Sequence, residues 1–317
     1  MNGLLIIDKP AGLTSHDVVA RVRRTVGEKR VGHTGTLDPF ATGVLVVMVG
    51  RATRLAQFLS GAEKEYEALV RLGYGTDTGD FTGTRTEAFT AGTQSLRREE
   101  IETALASLRG EIDQTPPMYS AKKIAGEKLY ELARRGEQVE RKAVRVNVAK
   151  FEIDQNNDEL KPNDDGTTDL PVRVVCSAGT YVRALAESLG QTLSTGAHLA
   201  ELRRTRAGSF KIEDAITFDR LDELAATDSL SSVLISPYDA LSDLPTVQLN
   251  ADDAKRTLSG IDLPAGNDAS TWPDEQAVRL IADGHLLAVG IYSARRQVIH
   301  PKVVVADLSE PLAVAGG

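Results

Sequence analysis

The chain has 317 residues, 41% of them hydrophobic and 26% charged, and a formal net charge of -8. That length accommodates one large domain and a smaller one, and the composition excludes wholesale disorder and fibrous repeats. No apolar run reaches membrane-spanning length, the lone Cys176 excludes an internal disulfide, and the five histidines lack paired ligand spacing, so no metal is expected.

The negative total argues against a nucleic-acid partner, but its distribution is uneven. Residues 1–60 carry eight basic and four acidic side chains, residues 121–150 nine and four, and residues 181–211 five and two, whereas residues 212–246 carry one basic and eight acidic. Local basic patches are compatible with an acidic total; solvated helix faces are the alternative reading.

In chain order, Gly3 to Asp8 predicts a short buried strand. With no basic region before Leu4, it does not read as a signal peptide, and the chain is expected in the cytoplasm. Thr14 or Ser15 offers a helix N-cap ahead of Val18, Val19, Val22 and Val26, which share a helical face. Val44 to Val49 predicts a central strand that Gly50 breaks before a short helix carrying Leu55 and Leu59. Tyr66, Ala68 and Val70 alternate with Glu67, Leu69 and Arg71 as in a half-buried strand, which runs into a turn from Gly73 to Gly83. A helix is predicted from Ser95 to Leu108. Beyond Pro116 and Pro117, the basic stretch Lys122 to Lys142 reads as an excursion from the core, with a short helix around Leu129 and Leu132 ending at Gly136. Val144, Val146 and Val148 predict a strand, Asp154 to Asp169 a loop, Pro171 to Cys176 a strand and Tyr181 to Leu189 a helix. After the acidic stretch from Asp214 to Asp243, apolar runs near Val278, Leu286 to Ile291 and Val303 to Val305 predict a small β domain.

The stretch most able to carry chemistry is Gly32-His33-Thr34-Gly35-Thr36-Leu37-Asp38-Pro39-Phe40-Ala41-Thr42-Gly43. Its glycines, proline and small hydroxyl residues describe a tight loop that delivers Asp38 to the entrance of the strand at Val44. Asp38 is either functional or a turn aspartate bonded to nearby amides. A hydrolase is excluded because no Gly-x-Ser-x-Gly turn supplies a nucleophile. Gly73 to Asp80 lacks the lysine of a phosphate-binding loop and an oxygen ligand where a calcium loop needs one, and reads as a turn. Cys176 to Arg183 joins a strand to a helix and either presents Tyr181 and Arg183 to a cleft or packs them. Leu202-Arg203-Arg204-Thr205-Arg206, placed after a helix, is either a solvated face or a phosphate contact.

Taken in order, Lys9-Pro10-x-Gly12-x-Thr14-Ser15, the Gly32 to Pro39 segment, Lys64-x-Tyr66, Pro116-Pro117-x-Tyr119-Ser120-Ala121, Gly179-Thr180-Tyr181-Val182-Arg183 and Leu202-Arg203-Arg204 resemble the TruB family of tRNA pseudouridine synthases. The resemblance spans residues 3–245. The tail, with Gly284 to Gly290 and Pro301-Lys302-Val303, is more loosely similar to the small RNA-binding barrel of that family.

The resemblance implies an α+β fold: a mixed, largely antiparallel sheet with flanking helices, then a small C-terminal PUA-like β-barrel. It implies a catalytic domain over 1–245 with a basic RNA-gripping insertion at 120–145, and an RNA-binding domain over 246–317. The implied reaction turns uridine 55 in the tRNA T-loop into pseudouridine, with no cofactor and no metal. It gives Asp38 the catalytic carboxylate, Tyr66 the stack on the flipped uracil and a part in removing the C5 proton, and His33 the bracing of the disrupted loop. Arg183 pairs with Asp38, and Tyr181 and Leu202 line the uracil pocket. Lys122, Lys123 and Lys128, lying outside that pocket, contact the RNA backbone, as do Arg203 and Arg204. The implied partner is the T-arm of tRNA, with no membrane, no obligatory protein partner and a monomeric state. A guide-RNA-dependent synthase and a non-catalytic RNA-binding or chaperone module are the alternatives; the Lys122 to Lys142 stretch and the presence of Asp38, respectively, weigh against them.

Overall fold

The computed structural model describes residues 1–86, 92, 93, 96–120, 122–124, 126–137, 139–155 and 160–306. Strand β1 (Gly3–Lys9) is buried almost throughout. Helix α1 (Ser15–Val26) opens on a capping box, in which the Thr14 hydroxyl accepts from the Asp17 amide and the Asp17 carboxylate accepts from the Thr14 amide; Gly27 closes it in the left-handed region. Then follow β2 (Val31–His33), β3 (Thr42–Val49), a 3₁₀ turn leading to α2 (Ala56–Leu59), β4 (Lys64–Leu72), α3 (Arg98–Ser107) and β5 (Gly110–Gln114). The Ser95 start expected for α3 lies outside the described residues. The basic excursion contains a hairpin of β6 (Lys123–Ile124) and β7 (Glu127–Lys128) followed by α4 (Leu129–Arg134). Next come β8 (Val144–Ile153), β9 (Lys161–Pro162), β10 (Thr168–Cys176), α5 (Val182–Thr192), β11 (Ala197–Ala207), β12 (Phe210–Lys211) and α6 (Phe218–Ala226). The loop expected at Asp154 to Asp169 thus contains β9 and the start of β10, while 156–159 fall outside the described residues.

The first sheet has ten strands, seven of them in the order β1-β3-β11-β4-β10-β8-β5. Its pairings are antiparallel except β3 with β11, which touch in parallel register at Thr42 and Gly43. Helices α3 and α5 cover one face through Ile101, Leu105, Leu185 and Leu189, which pack on Val70, Phe151, Val172 and Val174. Helices α1 and α6 close a second core against β1 and β3. Because α1 and α5 flank the strands on either side of the Thr34 to Ala41 loop, packing fixes the walls between which that loop must sit.

Strand β11 corrects the placement of Leu202 to Arg206, which form part of a central strand rather than a basic cluster following a helix. Ion pairing explains the disguise: Arg203 is bound to Asp8, and Arg206 to Glu63 and Glu65. Charges neutralised across strands made a strand look like a surface patch.

The second sheet contains β13 (Thr246–Gln248), β14 (Leu263–Pro264), β15 (Ala277–Ala282), β16 (His285–Ser293) and β17 (Val298–Val304), in the order β13-β15-β16-β17-β14, with α7 (Ala251–Leu258) packed beside it. It docks on the first unit where Leu55, Phe58 and Leu241 meet Ile281, Leu286 and Val289. Arg54 adds a hydrogen bond from Nη1 to the Val304 carbonyl at 2.9 Å.

Candidate active site

The Thr34 to Ala41 loop is braced from three directions. Lys9, fully buried at the end of β1, donates from Nζ to the carbonyls of Pro10, Pro39 and Ala41 at 3.0, 3.2 and 2.6 Å. Ser15 at the start of α1 donates to the Leu37 carbonyl at 3.1 Å and accepts from the Leu37 amide at 2.8 Å. Arg204 on β11 donates from Nε to the Val44 carbonyl at 2.7 Å and from Nη2 to the Gly35 carbonyl at 3.2 Å. Held this way, Leu37 points into the core and its neighbour Asp38 into a pocket of about 450 Å³.

In the pocket Arg183 grips the Asp38 carboxylate at two points, Nε to Oδ2 at 2.8 Å and Nη2 to Oδ1 at 3.2 Å. One third of the Asp38 side chain (33%) stays open, while Arg183 is 5% exposed. The guanidinium is fixed in turn by the carbonyls of Thr78 and Tyr119, both at 2.7 Å, and Asp80 stands 4.0 Å from it. Burial pushes the Asp38 carboxyl above its ordinary range, Arg183 pulls it back, and the nearby Asp80 charge adds to the rise. Arg183 therefore sustains a carboxylate that its surroundings disfavour.

Tyr66, Tyr181 and Leu202 line the same pocket. The Tyr181 backbone is held by Gln114, whose Oε1 accepts from the Tyr181 amide at 2.7 Å and whose Nε2 donates to its carbonyl at 3.1 Å. Tyr66 is buried, which pushes its phenol pKa up, so the hydroxyl is protonated at neutral pH. His33, at the end of β2, is half-buried one residue from the lining, edge-on to His16 with ring centroids 5.5 Å apart. Burial lowers its pKa, which favours the neutral ring.

Two expectations need correction, those for Lys122 and Arg204. Lys122 lines the pocket instead of standing outside it. Arg204 is 2% exposed and committed to backbone carbonyls inside the protein, so it is no outer phosphate contact. Arg203 is bound at both guanidinium ends to the Asp8 carboxylate, at 3.1 and 2.8 Å, with 39% of its side chain exposed. The side chains of Lys123 and Lys128 lie outside what is described. The Gly73 to Asp80 segment, read only as a turn, supplies the wall behind Arg183. Its signal was the ring of hydroxyls from Thr76, Thr78 and Thr82 that bond Asp80 and hold it in place.

The pattern described as TruB family pseudouridylate synthase (N terminal domain) matches residues 23–182, and that described as tRNA pseudouridylate synthase B C-terminal domain matches residues 183–242. The chain belongs to the TruB family. A tRNA pseudouridine synthase B from Geobacter sulfurreducens is 43% identical over 91% of this chain and 93% of its own length. One from Geobacillus kaustophilus is 45% identical over 84% and 92%, and one from Solibacter usitatus 41% identical over 96% and 100%. Among solved structures, a chain of a Cbf5-Nop10-Gar1 complex aligns with a TM-score of 0.71 at 27% identity over 96% of this chain and 85% of that one. A chain of an H/ACA RNP bound to a substrate RNA containing 2'-deoxyuridine gives 0.70 at 25% identity over the same shares. The TruB chain thus has the pseudouridine synthase fold, and Asp38 and Tyr66 fall in its N-terminal segment.

Proposed function

We propose that this protein isomerises uridine to pseudouridine in tRNA, acting on position 55 of the T-loop as a stand-alone enzyme with Asp38 as its catalytic carboxylate. The observation that carries the reading is the two-point Arg183–Asp38 pair inside an open pocket, where the guanidinium favours the ionised form of a carboxylate that stays one-third (33%) exposed. The reaction breaks the bond from ribose C1′ to uracil N1 and joins C1′ to C5 with no redox change. It needs a carboxylate to meet the sugar or the base, and walls that retain the detached ring. Tyr66 would stack on the flipped base and enter as a neutral phenol, Tyr181 and Leu202 would confine the base, and His33 would brace the opened loop. Support for tRNA comes from relatives matched over most of their length, and no obligatory protein partner is assigned. The five-stranded sheet would act as a PUA-like RNA-binding unit; it docks on Leu55 and Phe58, a few residues before Ser60 in the pocket lining.

Guide-RNA-dependent action within a ribonucleoprotein is the second reading, because one aligned solved chain belongs to an H/ACA RNP and another to a Cbf5-Nop10-Gar1 complex. One experiment separates the two. Purified protein alone is incubated with a T-arm transcript and pseudouridine is mapped at single-nucleotide resolution. We expect modification at one T-loop uridine, and its loss in Asp38→Asn with tRNA affinity kept within about threefold, because the amide is near-isosteric but is neither nucleophile nor base. An inactive wild-type protein would leave the particle-bound reading standing, and substantial turnover by Asp38→Asn would remove the role of Asp38.

A further inference from the structure

The pocket holds more positive charge than Asp38 requires. Among its lining side chains Asp38 is the one carboxylate, whereas Lys64, Lys122, Arg183 and Arg204 are cationic. Arg183 is matched by Asp38. Lys64 and Arg204 are not: their hydrogen bonds run to neutral carbonyls, Lys64 to Ser60 and Ala62, Arg204 to Val44 and Gly35. Both are buried, at 7% and 2% exposure, on the adjacent strands β4 and β11. Burial and the neighbouring Arg204 push the Lys64 ammonium down to about 8. Two like charges held together out of water, with no carboxylate between them, cost stability. That cost is offset only when something anionic arrives.

Ribose phosphates are poor candidates, because such buried groups offer little surface for direct contact. The anion must form inside the cavity. Both side chains line the pocket beside Gly35, where a Cβ would sit in ordinary contact, 3.6 Å from Arg204 Nη1 and 3.9 Å from Lys64 Cε. Arg204 pairs with Tyr66 across β11 and β4, and both line the pocket, Tyr66 being the ring expected to lie against the base. Resting on the proposed function, the chemistry supplies an anion at this place. When the C1′–N1 bond breaks, the electron pair stays on N1, and the charge spreads over the ring to O2 and O4. The electron-poor C1′ is met by the Asp38 carboxylate, which leaves again when C5 attacks, or is relieved by loss of the C2′ proton to that carboxylate, which returns it to C2′ as C1′ joins C5. After C1′ joins C5, the C5 proton leaves and N1 gains one, so charge and electrons balance.

We propose that Lys64 and Arg204 are the electrostatic stabilisers of the detached uracil anion, holding its charge while the ring turns from N1 to C5. Positive charge placed beforehand where negative charge develops lowers the barrier without slow reorganisation, and losing one such group costs on the order of 10²-fold in rate. The test is the single-turnover rate of C1′–N1 bond loss on T-arm RNA carrying uridine or 5-fluorouridine at the target position. Fluorouracil is the more acidic leaving group and depends less on outside positive charge. Lys64→Met is expected to slow uridine about 10- to 100-fold and fluorouridine markedly less, with RNA affinity unchanged; Lys64→Arg and Arg204→Lys, which keep the charge, should retain most of the rate. Equal slowing of both substrates, a wild-type rate in Lys64→Met, or a loss in Lys64→Arg as large as that in Lys64→Met would each overturn the assignment. If Lys64→Met does not fold, the charge-keeping variants still decide it by their rates on uridine: retention supports the assignment and a large loss equal on both substrates overturns it. The wild-type rate on uridine keeps the cases apart: no activity there defeats the proposed function and this inference together, whereas an active wild type with substrate-independent losses defeats the inference alone.

Discussion

At Asp38 two opposing forces meet, and the winner sets the pH range of activity. Burial raises the carboxyl's pKa and the two-point Arg183 contact lowers it, with the net direction upward. The ionised form is the one the proposed chemistry uses, so activity should fall as pH drops through that raised pKa. Removing the cation leaves burial and Asp80 opposed by Lys9 alone, which raises the pKa further. In Arg183→Met the acid limb of the pH–rate profile should therefore move to higher pH, and the plateau rate should fall on the order of 10²-fold as the carboxylate loses its fixed orientation. Arg183→Lys keeps the charge but loses the fork that also binds the Thr78 and Tyr119 carbonyls, and should move the limb less. A limb that stays put in both variants would show that Arg183 fixes geometry and not ionisation. The Asp38–Arg183 pair was legible in the sequence through the family resemblance alone, since 145 positions separate the two residues and no spacing rule links them.

Among the elements, the junction of β3 with β11 is the most exacting. Gly43 has φ +98°, and a Cβ there would lie 2.2 Å from the Arg204 carbonyl oxygen. Gly43→Ala should cost about 3 kcal/mol or more, read as a shift in denaturant midpoint, because backbone strain and a backbone clash add with nothing flexible to yield. Gly12→Ala is the control: its φ is also positive, at +86°, but nothing lies within 4 Å, so the cost should stay near 1 kcal/mol. Equal costs at the two sites would refute the close approach. The sequence displayed β1, β3, β4 and α1 plainly, because apolar runs, apolar alternation and an N-cap residue ahead of a valine face are local signals. It hid β11 because that strand carries Arg203 and Arg206, whose partners Asp8, Glu63 and Glu65 come from distant segments. A charged residue reads as surface until its counter-ion is known.

For the whole molecule, the puzzle is an acidic protein, at net charge -8, acting on a polyanion. Placement answers it in part: four cations converge on one pocket, while the stretch that precedes the second sheet, residues 212–246, carries eight acidic side chains against one basic. The basic excursion then divides by position. Lys122 belongs to the pocket wall, whereas Lys123 and Lys128 lie on the β6–β7 hairpin. If the hairpin grips the RNA backbone, Lys123→Ala with Lys128→Ala should weaken tRNA binding and flatten the slope of log affinity against log salt by up to about 1.8, at about 0.9 per phosphate released. The single-turnover rate on saturating RNA should change little. Lys122→Ala should do the reverse, lowering that rate several-fold while shifting the salt slope by less than about 1. Filter binding across a salt series, paired with single-turnover assays, separates the effects. An unchanged slope in the double variant would mean that the excursion is a solvated face, and that the field drawing RNA in originates from the pocket cations themselves.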